Sequence, residues 1–231
     1  MNLAERAPGP EILDVEDPGE AEYGRVMDDL ASVSRVLMAH APTLGFLHRV
    51  TRGRPSGEKL SVLDVGCGEG DLLRRLRAWS RHRAFAVELH GLDLNPRSQA
   101  AARARTPDWM AINYRTGDVF ACDEQFDIVV SSLFTHHLTD TQLVAFLRWM
   151  GAHARLGWFV NDLQRHPVAY HSFGVLARLL RWHRIVRLDG QTSVRRAFRH
   201  EDWQRLLAQS GVAGRIRPRP MFRLCVEGKA G

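Results

Sequence analysis

The sequence predicts an α/β chain built on a doubly wound, mainly parallel sheet, and three observations lead there. Apolar runs of strand type recur at residues 60–66, 84–94, 110–119, 126–134 and 157–163, with stretches of helical spacing between them. Strands that alternate with helices imply a parallel sheet covered on both faces. A glycine-rich turn, "GCGEG" at 66–70, follows the first run directly, which is where such sheets receive ligands. Three acids, Asp64, Asp93 and Asp118, fall at the ends of the first three runs.

Taken in order, residues 1–20 are acidic and proline-dotted, and read as a flexible or loosely docked arm. From Asp28 to Val50, Leu30, Val33, Leu37, Leu44 and Leu47 keep helical spacing, and Pro42 divides the stretch into two helices. "DLLRRLRAWSRH" is a helix after the glycine turn, and "PRSQAAARARTP" another, with Pro96 suited to its first turn. "TDTQLVAFLRWMGAHA" follows the fourth run, with Thr139 as N-cap. Beyond the fifth run, "HPVAYHSFGVLARLLRWH" is helical and an Arg- and Gly-rich loop is expected to follow it. "RHEDWQRLLAQSGV" is a helix with a glycine stop, and "GRIRPRPMFRLCVEG" gives two strands, with Pro218 and Pro220 at an edge or turn.

Composition bounds the function. The 231 residues suffice for a full core. No apolar run approaches the about 18 residues of a membrane span, and the first residues lack the basic-then-apolar pattern of a secretory signal. Cys67, Cys122 and Cys225 are odd in number and far apart, so neither a disulfide framework nor a zinc site is expected, and a cytoplasmic protein is. The net charge of +6 rests almost wholly on arginine, Lys59 and Lys229 being the only lysines. The arginines from Arg178 to Arg199 lack interleaved exposed aromatics on a platform, so a solvated face is expected there and nucleic acid is not the expected partner.

The glycine turn separates two ligand chemistries. A dinucleotide fingerprint needs its third glycine at position 71, which is Asp, and a phosphate loop needs a lysine that is missing. Asp64 would repel a pyrophosphate but suits an ammonium group. Asp93 can accept the two hydroxyls of a ribose. Asp118, followed by Val119, can take an adenine amino group while apolar neighbours enclose the ring.

With "LDVGCGEG", the acid of "GLDLN", "TGDVF" and "FDIVVSSLFTHHL" in this order, the sequence resembles the class I S-adenosylmethionine-dependent methyltransferases, across roughly residues 60–165. The small-molecule branch, of quinone and secondary-metabolite type, is the most similar. The resemblance implies a Rossmann-like seven-stranded sheet in the order 3-2-1-4-5-7-6, with strand 7 antiparallel. It implies S-adenosylmethionine as cofactor, and places Asp64, Gly66, Cys67, Gly68, Gly70, Asp93, Leu94, Asp118, Val119 and Ser131 around it. Residues 1–55 would be the arm and a helical cap, and 56–231 the methyltransferase domain, with a lid-like helical insertion at about 163–200. The interval from Gly70 to Asp93 is long for the family, which suggests a longer loop around "SRHRAFAV".

Methyl transfer is an in-line displacement, so the protein supplies alignment, and a base where the acceptor is a hydroxyl. His136 and His137 follow the fourth strand and are the candidate bases. On extended backbone adjacent histidines would point opposite ways, leaving at most one in the crevice. Tyr23, Phe134, Asn161, Arg165, His166 and Tyr170 are the candidate acceptor contacts. No metal ligand set is evident. The expectation is O-methylation of a small hydroxylated aromatic or polyketide-like acceptor. The alternatives are C-methylation of an activated ring, methylation of RNA, or a non-catalytic cofactor-binding scaffold.

Overall fold

A computed structural model describes residues 3–16, 18–55, 57–83 and 86–229. Before the sheet come α1 (Ile12–Val15), α2 (Glu20–Val36) and α3 (Ala41–Thr51), with Pro42 in the first turn of α3. The alternating region is β1 (Lys59–Val65), α4 (Asp71–His82), β2 (Ala86–Asp93), α5 (Pro96–Ala104), β3 (Ile112–Thr116), β4 (Phe126–Ser132), α6 (Asp140–His153) and β5 (Ala154–Leu163). Then follow α7 (Pro167–Leu179), α8 (Arg184–Arg196), α9 (His200–Ser210), β6 (Arg215–Arg219) and β7 (Arg223–Gly228).

The seven strands lie in the order β3-β2-β1-β4-β5-β7-β6. β7 runs antiparallel to both neighbours, and the other pairings are parallel. This is the expected topology. Register brings Val65 beside Leu92 and Ser131, and Asp93 beside Thr116, so the strand ends that carry the predicted acids share one edge.

Side-chain alternation divides the core in two. Along β4, Ile128 and Val130 join Phe46, Leu73, Leu76 and Phe159 on the α3–α4 face, while Val129 joins Phe146, Leu147, Trp158 and Trp203 on the α6–α9 face. Each such side chain contributes about 1.5–3 kcal/mol through burial. A third cluster, Val26, Ala177, Trp182, Ile185 and Val186, ties α2 to α7 and α8. The cap and the insertion are thus one packed unit.

Two expectations change. The segment expected to be an Arg- and Gly-rich loop is the helix α8, because Ile185, Val186, Asp189, Ser193 and Val194 fall on one buried helical face. Gly190 permits the packing, since a Cβ there would come within 2.2 Å of the Phe173 ring. The arm is docked rather than loose. Ala7 N donates to Arg195 O at 3.0 Å and Arg6 Nε to Arg196 O at 2.8 Å, while Leu3 and Glu11 are buried. Of the expected longer loop around "SRHRAFAV", α4 continues to His82 and β2 starts at Ala86, and residues 84–85 lie outside the described residues.

Candidate active site

The glycine turn is backbone held in conformations that side chains avoid. Gly70 has φ +74°, and a Cβ on it would fall 2.2 Å from Tyr114 Oη. Gly68 has φ +50°, yet a Cβ there would meet nothing within 4 Å. The turn is therefore packed from below at Gly70 and open at Gly68, the side on which a ligand can lie against backbone. A Cβ on Gly66 would meet the ring of Phe134 at 2.6 Å, so Phe134 covers the start of the turn. Cys67 is buried, and burial followed by the charge of Asp64 pushes its thiol far up, which makes it inert packing.

Asp93 fixes the turn. Its Oδ2 accepts from Gly68 N at 2.8 Å and its Oδ1 from Asn95 N at 2.9 Å. Asp64 is 2% exposed, and its Oδ1 has no hydrogen-bond partner among the described residues. Burial, then the charge of Asp93, raises its carboxyl well above the usual range. A buried, unpartnered carboxyl is costly until a donor arrives. The ammonium of a methionine moiety is such a donor, so this orphaned oxygen and the open flank at Gly68 fit S-adenosylmethionine.

Asp118 is exposed and its Oδ1 accepts from Phe120 N at 3.0 Å, with Val119 buried behind it. It lines an open cleft of about 470 Å³ with Leu92, Thr116 and Gly117. Leu94 is 73% exposed beside that edge. Ser131 is spent on structure, its hydroxyl donating to Val65 O at 2.9 Å across the strand ends. A larger groove, of about 840 Å³ along Lys59, Val87 and Trp109, contains none of these residues.

The histidines form a second centre. Residues 135–137 make a single 3-10 turn, so both rings reach the same carboxylate instead of diverging. The ring centroids are 4.4 Å apart. His136 is closed in: Nδ1 lies 2.7 Å from Asp162 Oδ1, and Nε2 lies 3.4 Å from Glu11 Oε1. Burial lowers its pKa, but Asp162 and Glu11 outweigh burial and push it up to about 10. Asp162, despite burial, is held down at about 2 by the charge and hydrogen bond of His136 and the hydroxyl of Thr135. Glu11 is likewise buried yet lowered, chiefly by His136. His137 Nδ1 lies 3.3 Å from Asp14 Oδ2, and its side chain stays 29% exposed.

Several predicted acceptor contacts are placed elsewhere. Arg165 is 2% exposed and donates to Leu3 O, Ala4 O, Ala197 O and the Asp202 carboxylate, so it anchors the arm to the end of α8. Asn161 is fully buried, its Nδ2 donating to Ala39 O at 2.7 Å, so it braces the link between α2 and α3. His166 caps α7, accepting from Val168 N, and stacks on Phe222. Tyr23 lies on the cofactor side: burial raises its pKa, followed by the charge of Glu69, with a smaller contribution from Asp93. Arg97 lies 4.9 Å over its ring. Tyr170 is half-buried, edge-on to His171.

The residues missed by sequence reasoning are Glu11, Asp14 and Arg196. Arg196 donates to His136 O and His137 O, and its guanidinium lies 3.4 Å from Asp14. "PEILD" carries two acids one helical turn apart, but no spacing links it to residues 136 or 196.

Comparison with known proteins agrees with the fold. Residues 62–157 match the family described as Methyltransferase domain. No curated protein matches the chain. Among solved structures, the magnesium protoporphyrin IX methyltransferase of Synechocystis PCC 6803 with bound SAH is 14% identical, with TM-score 0.56 and 84% of each chain covered. The plantazolicin methyltransferase BpumL, in complex with a pentazolic analog and SAH, is 14% identical, with TM-score 0.66, over 93% of this chain and 92% of that one. The CurJ carbon methyltransferase is 12% identical, with TM-score 0.60, over 83% of this chain and 54% of that one. At such identities the likeness is one of fold. The fold and glycine turn are those of the class I S-adenosylmethionine-dependent methyltransferases. The match over residues 62–157 is to a methyltransferase domain, and the protoporphyrin and plantazolicin methyltransferase structures hold SAH. Among the described residues no single helix is long and apolar enough to cross a membrane.

Proposed function

We propose that the protein transfers the methyl group of S-adenosylmethionine to a hydroxyl oxygen of a small aromatic or polyketide-like acceptor. One observation carries the reading. Two imidazoles and three carboxylates, Glu11, Asp14 and Asp162, gather at the ends of β4 and β5, at the turn after Phe134, whose ring packs against Gly66 of the glycine turn. The bound cofactor supplies an electrophilic methyl carbon on a sulfonium.

This chain's residues do the rest. Asp64 and the backbone at Gly68 would hold the amino-acid part, Asp93 the ribose, and Asp118 with Val119 the adenine. The acceptor hydroxyl would face the histidine cluster, which takes up its proton. His137 is the ring with solvent access, whereas His136 is enclosed. The plantazolicin methyltransferase structure holds a pentazolic analog of its acceptor, which favours a small acceptor here. C-methylation of an activated ring is the second reading, favoured by the carbon methyltransferase likeness.

The test uses methyl-labelled cofactor with two panels, hydroxylated aromatics and bulk RNA, followed by analysis of the labelled product. Label on the oxygen of a hydroxylated aromatic is expected. Label on ring carbon would move the reading to C-methylation, and label on RNA alone would overturn it.

A further inference from the structure

The groups on the acceptor side form a set of another kind. Glu11, His136 and His137 each offer one ligand atom, and these atoms all lie within 4.8 Å of one another. Glu11 Oε1 stands 3.4 Å from His136 Nε2 and 3.9 Å from His137 Nε2. A charge-assisted N–H···O bond closes to about 2.7–2.9 Å, so neither contact is a good hydrogen bond. Ligands of a tetrahedral ion with bonds of about 2.0–2.2 Å stand roughly 3.3–3.6 Å apart. The Glu11–His136 distance falls in that range, and the Glu11–His137 distance lies somewhat beyond it, so His137 would close slightly on the ion to join as a co-ligand.

The outer contacts point the same way. A metal-bound imidazole is commonly fixed by a carboxylate on its other nitrogen. Asp162 holds His136 Nδ1 at 2.7 Å, and Asp14 lies 3.3 Å from His137 Nδ1. Ser193 Oγ donates to Glu11 Oε1 at 2.6 Å and fixes the carboxylate. Both rings would thus turn Nε2 toward Glu11, with the second nitrogen of His136 held by Asp162 and that of His137 lying near Asp14 at the longer 3.3 Å.

We propose that Glu11, His136 and His137 bind a divalent first-row transition ion of zinc type. Two imidazoles and one carboxylate leave a position open for a further ligand. An open position would lie toward His137, whose side chain is 29% exposed. This keeps the acceptor of the reading above but moves its proton from the imidazoles to solvent, and it rests on that reading in one respect only, that the acceptor hydroxyl takes that position. There the ion lowers the pKa of the hydroxyl, whose proton leaves to solvent. The oxygen lone pair then forms the new bond to the methyl carbon, and the carbon–sulfur bond breaks with its electron pair going to sulfur. The imidazoles serve as ligands, and the ion replaces them as the activating group.

The experiment titrates Zn²⁺ and Co²⁺ into chelator-treated full-length chain, read by equilibrium dialysis and by the visible absorption of Co²⁺. One ion per chain is expected, with affinity at least tenfold weaker in His137→Ala and in Glu11→Gln, and unchanged in His82→Ala, a change at an exposed position. Thermal unfolding and SAH binding report whether each variant is folded, and the near-isosteric Glu11→Gln carries the test should His137→Ala fail to fold. Absence of stoichiometric binding overturns the proposal, as does binding that is equal in both variants and the parent. If no ion binds while hydroxylated acceptors are methylated in chelator, the ion falls and the acceptor reading stands. If one ion binds through these residues and no hydroxylated acceptor is methylated, the ion site stands and the acceptor reading falls.

Discussion

The cofactor side of the sheet and its acceptor side are built from different distances along the chain. Around β1–β3, the turn at 66–70, Asp93 and Asp118 lie within some fifty residues of one another, and each is placed by the strand that precedes it. Around β4 and β5, His136 is held by Asp162, but also by Glu11, and Arg196 and Arg6 bond its carbonyl. Four separate segments meet there. A site of the first kind depends on local backbone conformation, whereas one of the second kind depends on tertiary docking. Damage to the arm should therefore reach acceptor chemistry and spare the cofactor.

Predictions that test this contrast run from large effects to small. Arg165→Met should cost about 3–5 kcal/mol of stability, because it leaves the buried contacts to Asp202 and three carbonyls unmet. Chemical denaturation measures it, and an effect on acceptor KM without loss of stability would return Arg165 to the acceptor site. Gly70→Ala should cost about 2–4 kcal/mol through its φ of +74° and the collision with Tyr114. Asp93→Ala removes two bonds to a carboxylate and should weaken SAH binding about tenfold to a hundredfold by calorimetry. Arg196→Ala loosens the arm from the turn at 135–137. It should lower kcat/KM for the acceptor by roughly tenfold while SAH affinity stays within about threefold, and equal losses in both would dissolve the contrast. Leu94→Ala, at an exposed position, should shift stability by less than about 0.5 kcal/mol.

The same contrast explains what could be read from sequence. The alternation of strands and helices follows from periodicity, whereas the strand order and the antiparallel seventh strand come from the resemblance that the ordered motifs carry. Thr139 caps α6 as expected, through a box with Gln142. α8 was hidden because Gly190 and a run of arginines mimic a loop, while its helical face shows only through Ile185, Val186 and Val194. Glu11 and Asp14 were invisible as site residues, since a short acidic arm looks the same docked or free. Arg165 and Asn161 looked like crevice residues because they follow a strand end. The side chains turn inward instead, to carbonyls that would otherwise be buried without donors.

The docked arm also has a consequence for how the molecule comes into being. Residue 6 bonds the carbonyl of residue 196, and Ser193 bonds Glu11. On the ribosome, the arm is made before α8 and must wait for it to complete these contacts. Residues 59–132 can meanwhile pair β1 to β4 and form the glycine turn. A growing chain would thus possess a cradle for the methyl donor well before the second centre closes, and only a chain grown through α8 could bring the two together.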